Sequence, residues 1–126
     1  MIYLDTHVAV WLYAGELDRF SKAALRDIEE HDLMISPVVL LEIQYLREIK
    51  RLRTDAHVIA DTLARSISLQ VCDLAFDQVV LEALSLSWTR DPFDRIIVAQ
   101  ATARNAALLT KDESILAHYK KAFWDK

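Results

Sequence analysis

Four of the nineteen acidic residues stand where a solvated carboxylate has no local reason to be. Asp5 closes the apolar opening run and so falls at the carboxyl end of a first strand. Asp112 holds the same position after the run ALLTK. Glu42 sits in a helical stretch where Val38, Tyr45, Leu46 and Ile49 all lie within about 60° of it around the axis. No Lys or Arg stands a turn away, and burying an unpaired carboxylate costs several kcal/mol. Asp94 lies in the first turn of a stretch that is apolar nearly all round. Each has a blander reading beside it. Asp94 could simply complement a helix dipole, and Asp112 could simply cap a helix. Asp18, Asp27, Glu29, Glu30, Asp55, Asp61 and Glu82 read as solvated helix faces, and Asp73 and Asp91 as caps.

Taken jointly, the four acids point to one chemistry. Ligands of open parallel sheets collect outside the carboxyl ends of the strands, so acids at strand ends and in the following helices would converge on one edge. Two carboxylates about 5 Å apart repel by roughly 3 kcal/mol at an effective dielectric of about 20. A site built only of carboxylate oxygens suits a hard cation, Mg²⁺ or Mn²⁺. Such a site favours metal-assisted hydrolysis of a phosphodiester. A phosphotransfer receiver or haloacid-type phosphatase also places Asp at strand ends, but needs a second acid beside the first. Here Thr6 and His7 follow Asp5.

The elements that would position these residues are legible in the pattern. Short apolar runs alternate with amphipathic stretches, the signature of strand–helix–strand units around a parallel sheet. Strands are expected at Met1–Asp5, Leu33–Ser36, Leu69–Cys72 and Leu108–Thr110, with a fifth at Ala122–Trp124. Helices are expected at Thr6–Tyr13, Ser21–Glu30, Thr54–Ser66 and Asp112–Tyr119. Ser36 followed by Pro37 opens another, running to about Leu52 with Val38, Leu41, Tyr45, Ile49 and Leu52 in register. Asp73 is expected to cap a helix reaching about Trp88. Asp91 followed by Pro92 opens Pro92–Asn105, and Asn105 suits a left-handed stop. The expectation is an α/β fold and a single domain over residues 1–126.

Composition narrows the class. With 53% apolar and 27% charged residues, the chain has a core to bury and is not a disordered linker. One cysteine, Cys72, excludes a disulfide framework or a thiolate zinc cluster, and fits a reducing cytoplasm. No apolar run approaches the roughly 20 residues that span a bilayer, and the opening segment carries no basic leader or cleavage site. No membrane association is expected. The net charge of −4 is a poor balance for gripping nucleic acid unless a bound cation or a local basic patch offsets the repulsion.

The segments IYLDTHVAVWLY, ISPVVLLEIQYLREI, RDPFDRIIVAQA and ALLTKD together resemble the PIN-domain ribonucleases, particularly the VapC-like toxins of type II toxin–antitoxin pairs. The likeness spans nearly the whole chain. By position, the family's acidic quartet falls on Asp5, Glu42, Asp94 and Asp112. The resemblance implies a three-layer α/β/α sandwich with a central parallel sheet of four to five short strands. It also implies Mg²⁺- or Mn²⁺-dependent cleavage of single-stranded RNA to 5′-phosphate and 3′-hydroxyl ends, a homodimer, and a cognate antitoxin. Relatives often carry His where this chain has Thr89, and Gly near Ala106. A catalytically silent RNA- or protein-binding module and a DNA-directed nuclease are the alternatives.

Residues adjoining the quartet complete the expectation. Thr6, Ser36 and Thr110 could orient the acids, or could serve as ordinary cap and strand residues. Arg90, Arg95 and Lys111 could grip RNA phosphates, or merely balance the carboxylates. Arg47, Lys50, Arg51 and Arg53 read first as a solvated helix end and only secondarily as an RNA contact. His7, His31, His57 and His118 show no pairing and read as surface or locally bonded residues. Trp11, Tyr45, Trp88 and Trp124 read as core or interface.

Overall fold

A computed structural model describes residues 1–125. Five short strands form one sheet: β1 (Ile2–Leu4), β2 (Leu33–Ile35), β3 (Gln70–Val71), β4 (Ala107–Leu109) and β5 (Ala122–Phe123). Their order is β3-β2-β1-β4-β5 and every pairing is parallel. The chain leaves β1 toward β2 and β3, then returns to add β4 on the other side. The switch point therefore lies between β1 and β4, where the crevice of a parallel sheet opens. The strands are short and apolar because helices cover them: β1, β2 and most of β4 are buried.

Seven helices make the crossovers: α1 (Thr6–Ala14), α2 (Lys22–Glu30), α3 (Pro37–Glu48), α4 (Ala56–Ile67), α5 (Phe76–Ala83), α6 (Pro92–Ala103) and α7 (Glu113–His118). Right-handed crossovers leading in opposite directions place their helices on opposite faces. In keeping with this, α1, α3 and α4 pack among themselves and α5 packs chiefly on α6. The parallel α/β architecture expected from the sequence is the one observed. Asp5, Ser21, Ser36, Asp55, Asp91 and Asp112 cap helices through their side chains. Gly15, at φ 72°, ends α1 in the left-handed region that favours glycine. Asn105 takes the same role after α6 at φ 52°, so Ala106 has no left-handed turn to make and no glycine is needed there.

Five expectations are corrected. α3 stops at Glu48 rather than Leu52, because Lys50 turns left-handed at φ 65°. Its buried face is Val39, Ile43 and Leu46, while Leu41, Tyr45 and Ile49 are 61%, 47% and 43% exposed. Both stripes of this helix are apolar, so periodicity could not say which meets the sheet. α5 starts at Phe76 after Ala75 and ends at Ala83, well short of Trp88. Asp73 caps nothing, and instead pairs with Arg104 at 3.1 Å. Asp27, expected on a solvated face, is buried. Among the described residues no helix is long and apolar enough to cross a membrane.

Candidate active site

Caps and strand ends bring the acids together. A hollow of about 390 Å³ opens at the carboxyl edge of the sheet, and Asp5, Glu42, Asp94 and Asp112 all line it. Asp91, His7, Val8, Trp11 and Lys111 complete its wall. Asp5 leaves β1 and caps α1, its Oδ1 accepting from the Thr6 N–H at 2.8 Å and its Oδ2 from the Thr110 hydroxyl at 2.6 Å. Thr110 also accepts the Asp112 N–H at 3.0 Å, so one buried hydroxyl ties the two acids flanking the switch point. Asp112 caps α7 through the Ile115 N–H at 2.9 Å. The Thr6 hydroxyl donates to Glu42 Oε1 at 2.5 Å, holding the half-buried carboxylate of α3 against α1.

Electrostatics within the hollow are strained toward protonation. Burial raises the pKa of Asp5 although Thr110 and Thr6 pull it down. Burial likewise raises Glu42, against the pull of Thr6. Asp94 is pushed up to about 7, first by burial and then by the charges of Asp5, Asp91, Asp112 and Glu42. Among the described residues none of these acids has a salt-bridge partner. Among the described residues Lys111 is the one lysine or arginine in the wall, and its ammonium also sits 5.6 Å from the Trp124 ring centroid. Like charges gathered without a counterion raise one another's pKa values.

A hard cation fits that donor set, which is all carboxylate oxygen. Among the described residues no three His, Cys, Asp or Glu side chains stand together closely enough to hold a metal ion by themselves. Mg²⁺ dehydrates reluctantly and is usually held through one or two carboxylates while keeping several waters.

The remaining sequence candidates divide. Thr6 and Thr110 hold acids of the pocket. Ser36 caps α3 through the Val38 N–H at 3.2 Å and donates to Gln100 Oε1 at 2.9 Å, outside the pocket wall. Arg95 directs its guanidinium to carbonyl oxygens, Nε to Ala83 at 2.8 Å and Nη2 to Leu84 at 3.2 Å. Arg90 is exposed and outside the wall. Sequence reasoning missed Asp91, His7 and Trp11 as wall residues. His7 and Trp11 share a face of α1 with i,i+4 spacing, starting two residues beyond Asp5, and that spacing was the available signal. Asp91 caps α6 through the N–H groups of Phe93 and Asp94, and its capping role concealed its place in the pocket.

Fold and site together define an α/β protein with a carboxylate-lined pocket at the switch point of a parallel sheet. Within that class a family model described as PIN domain matches residues 2–122, and the chain belongs to the PIN-domain family. It is 30% identical over 120 residues to Ribonuclease VapC22 of Mycobacterium tuberculosis, an alignment covering 93% of this chain and 91% of that protein. The crystal structure of VapBC2 from Rickettsia felis, bound to a DNA fragment from their promoter, matches with a TM-score of 0.73 at 21% identity. That match covers 99% of this chain and 100% of the other. A toxin–antitoxin complex from Klebsiella pneumoniae matches with a TM-score of 0.67 at 16% identity, over 98% and 96% of the two chains. The VapC-like resemblance carried by the sequence motifs agrees with these matches.

Proposed function

We propose that the protein is a metal-dependent endoribonuclease cutting single-stranded or loop RNA, the toxin of a toxin–antitoxin pair. The observation that carries the reading is the gathering of Asp5, Glu42, Asp94 and Asp112 into one hollow without a salt-bridge partner among the described residues. The ribonuclease relative and the toxin–antitoxin structural neighbours support the substrate class and a cognate antitoxin. Asp5, Asp94 and Asp112 would hold Mg²⁺ or Mn²⁺ directly or through water, with Glu42 as a further ligand or water-orienting base. When bound, the ion supplies the positive charge the acids lack and Lewis acidity toward a phosphoryl oxygen. Thr6 fixes the Glu42 carboxylate, so the base holds one orientation relative to the attacking water. Thr110 locks Asp5 and the Asp112 backbone to each other across the switch point. Lys111 in the wall offers an ammonium to the phosphate backbone. The setting we assign is a reducing cytoplasm, with which the buried free thiol of Cys72 is in keeping.

Purified protein should cut a panel of structured RNAs in millimolar Mn²⁺, leave 5′-phosphate ends, and stop in EDTA. Mn²⁺ alone should raise its melting temperature, since a ligand bound only by the folded state stabilises it by mass action. Neither cleavage nor a thermal response would leave a silent binding module as the better reading.

A homodimer is the oligomeric state we assign. Phe76 is 75% exposed, Leu81 68%, Leu84 65% and Leu41 61%, an unusual number of large apolar side chains in water. Leu41, Phe76, Phe93 and Ile96 line one apolar groove among α3, α5 and α6. The variant Phe76→Glu is expected to run as a monomer by light scattering where the wild type runs as a dimer. Identical masses for the two would remove this face from consideration.

A further inference from the structure

We propose that the turn after α3 and the hollow beside it form the track by which the RNA strand reaches the carboxylate pocket, with Arg51 and Arg53 on its phosphates and one base against His7. The proposal rests on the ribonuclease reading and assigns its substrate path. A polyanion approaching a chain of net charge −4 and a pocket walled by five carboxylates needs local cations to offset the repulsion. The left-handed Lys50 supplies them by its geometry. It ends α3, and the N–H groups of Arg51 and Leu52 both return to the Leu46 carbonyl, at 2.8 and 3.3 Å. That fold brings Arg51 and Leu52 alongside α1, where they line a hollow of about 270 Å³ together with His7, Trp11 and Glu16.

Because His7 and Trp11 line this hollow and the carboxylate pocket alike, the two share a wall. Lys50, Arg51 and Arg53 are exposed and form no ion pair with any described residue, whereas Arg47 is held by Asp55 at 3.3 Å. The furnishing of the hollow suits a nucleotide. The His7 ring, 6.1 Å from that of Trp11 between centroids, offers a face for a base, while the Trp11 ring already carries the Arg19 guanidinium at 5.1 Å and packs edge-on against Phe20 and Trp124. Arg51 offers a donor for a phosphate, and the Glu16 carboxylate is held by Arg19 at 3.4 Å. The volume of the hollow, about 270 Å³, is ample for one base.

The test reads binding rather than cleavage. A fluorescent single-stranded RNA of a dozen or so nucleotides is titrated in EDTA by anisotropy, with Asp94→Asn as the common background so that the probe stays intact. Arg51→Gln with Arg53→Gln should weaken binding about tenfold at low salt and make the log–log salt dependence shallower by about 1.4, the value for two lost phosphate contacts on a single strand. His7→Ala should weaken binding about threefold to tenfold and leave the salt slope unchanged. The matched control is Arg65→Gln with Lys120→Gln, two exposed cations at the opposite, amino edge of the sheet, and it should change neither quantity. Equal losses in both double variants, or undiminished binding in the first, would overturn the track; the latter would leave the hollow to a peptide. Failure of the ribonuclease reading shows separately, as wild-type protein that cuts no RNA in Mn²⁺ whatever the binding result.

Discussion

Replacing Asp94 with asparagine is expected to lower Mn²⁺-dependent RNA cleavage by about 10²- to 10³-fold or more, while raising the melting temperature of the metal-free protein at pH 8. The two effects have one cause. In the folded chain the Asp94 carboxyl is held up to about 7 by burial and by Asp5, Asp91, Asp112 and Glu42; unfolded, it titrates at its ordinary value near 4. Between those pH values the folded state binds more protons than the unfolded one, so stability falls as pH rises through the window. The ionised form is disfavoured by at most about 4 kcal/mol, and partial solvent access brings this nearer to about 2 kcal/mol. That corresponds to roughly 5–10 °C for a domain of this size. Wild type in EDTA should therefore lose thermal stability between pH 5 and pH 8, and Asp94→Asn should lose much less. Mn²⁺ should reverse the order at pH 8, because the variant lacks one of the carboxylates that we assign to the ion. Differential scanning fluorimetry across pH, with and without Mn²⁺, reads all of this. A metal-free variant less stable than wild type at pH 8 would mean that the acids do not strain one another.

Arg95→Gln is expected to behave in the opposite way. The sequence places this cation beside Asp94, where an RNA phosphate contact is a natural reading, but the structure gives its guanidinium to Ala83 and Leu84 carbonyls at 2.8 and 3.2 Å. The third donor, at 3.5 Å from Thr89 O, is too long to contribute much. The last carbonyls of a helix lack intrahelical partners, and from the first turn of α6 Arg95 donates to those of Ala83 and Leu84, the first of which also accepts the Leu86 N–H at 3.1 Å. Charge-assisted hydrogen bonds of this kind are each worth about 1.5–3 kcal/mol. Losing two should cost about 3 kcal/mol, seen as a lower urea midpoint with little change in slope. Affinity for the labelled RNA should be unchanged in conditions where the variant is folded. Unaltered stability with weakened RNA binding would return Arg95 to the substrate.

The same residue explains a limit of the sequence reading. Asp73 looked like the cap of a helix reaching Trp88, yet α5 is only Phe76–Ala83. The carbonyl at its end accepts from a guanidinium twelve residues beyond Ala83, and no local pattern announces such a partner. The register of α3 failed for a related reason. With apolar side chains on two faces, the choice between them rests on which face meets the sheet, and the exposed one, with Leu41 and Tyr45, borders the groove that we assign to a second copy.

What the sequence by itself determined is whatever local chemistry decides. Ser36 before Pro37 and Asp91 before Pro92 start helices because a side-chain acceptor and a fixed φ meet at adjacent positions, and Asn105 stops one because it tolerates the left-handed region. The four acids were legible because each interrupts an apolar run, and a buried charge needs a reason that its neighbours do not supply. Only the tertiary structure decided that Thr110 ties Asp5 to Asp112, that His7, Trp11 and Asp91 share the pocket, and that Lys50 folds Arg51 back toward α1. Each of these depends on groups far apart in the chain or on one residue's backbone twist. Their geometry is fixed by how the elements pack, not by the order in which residues occur.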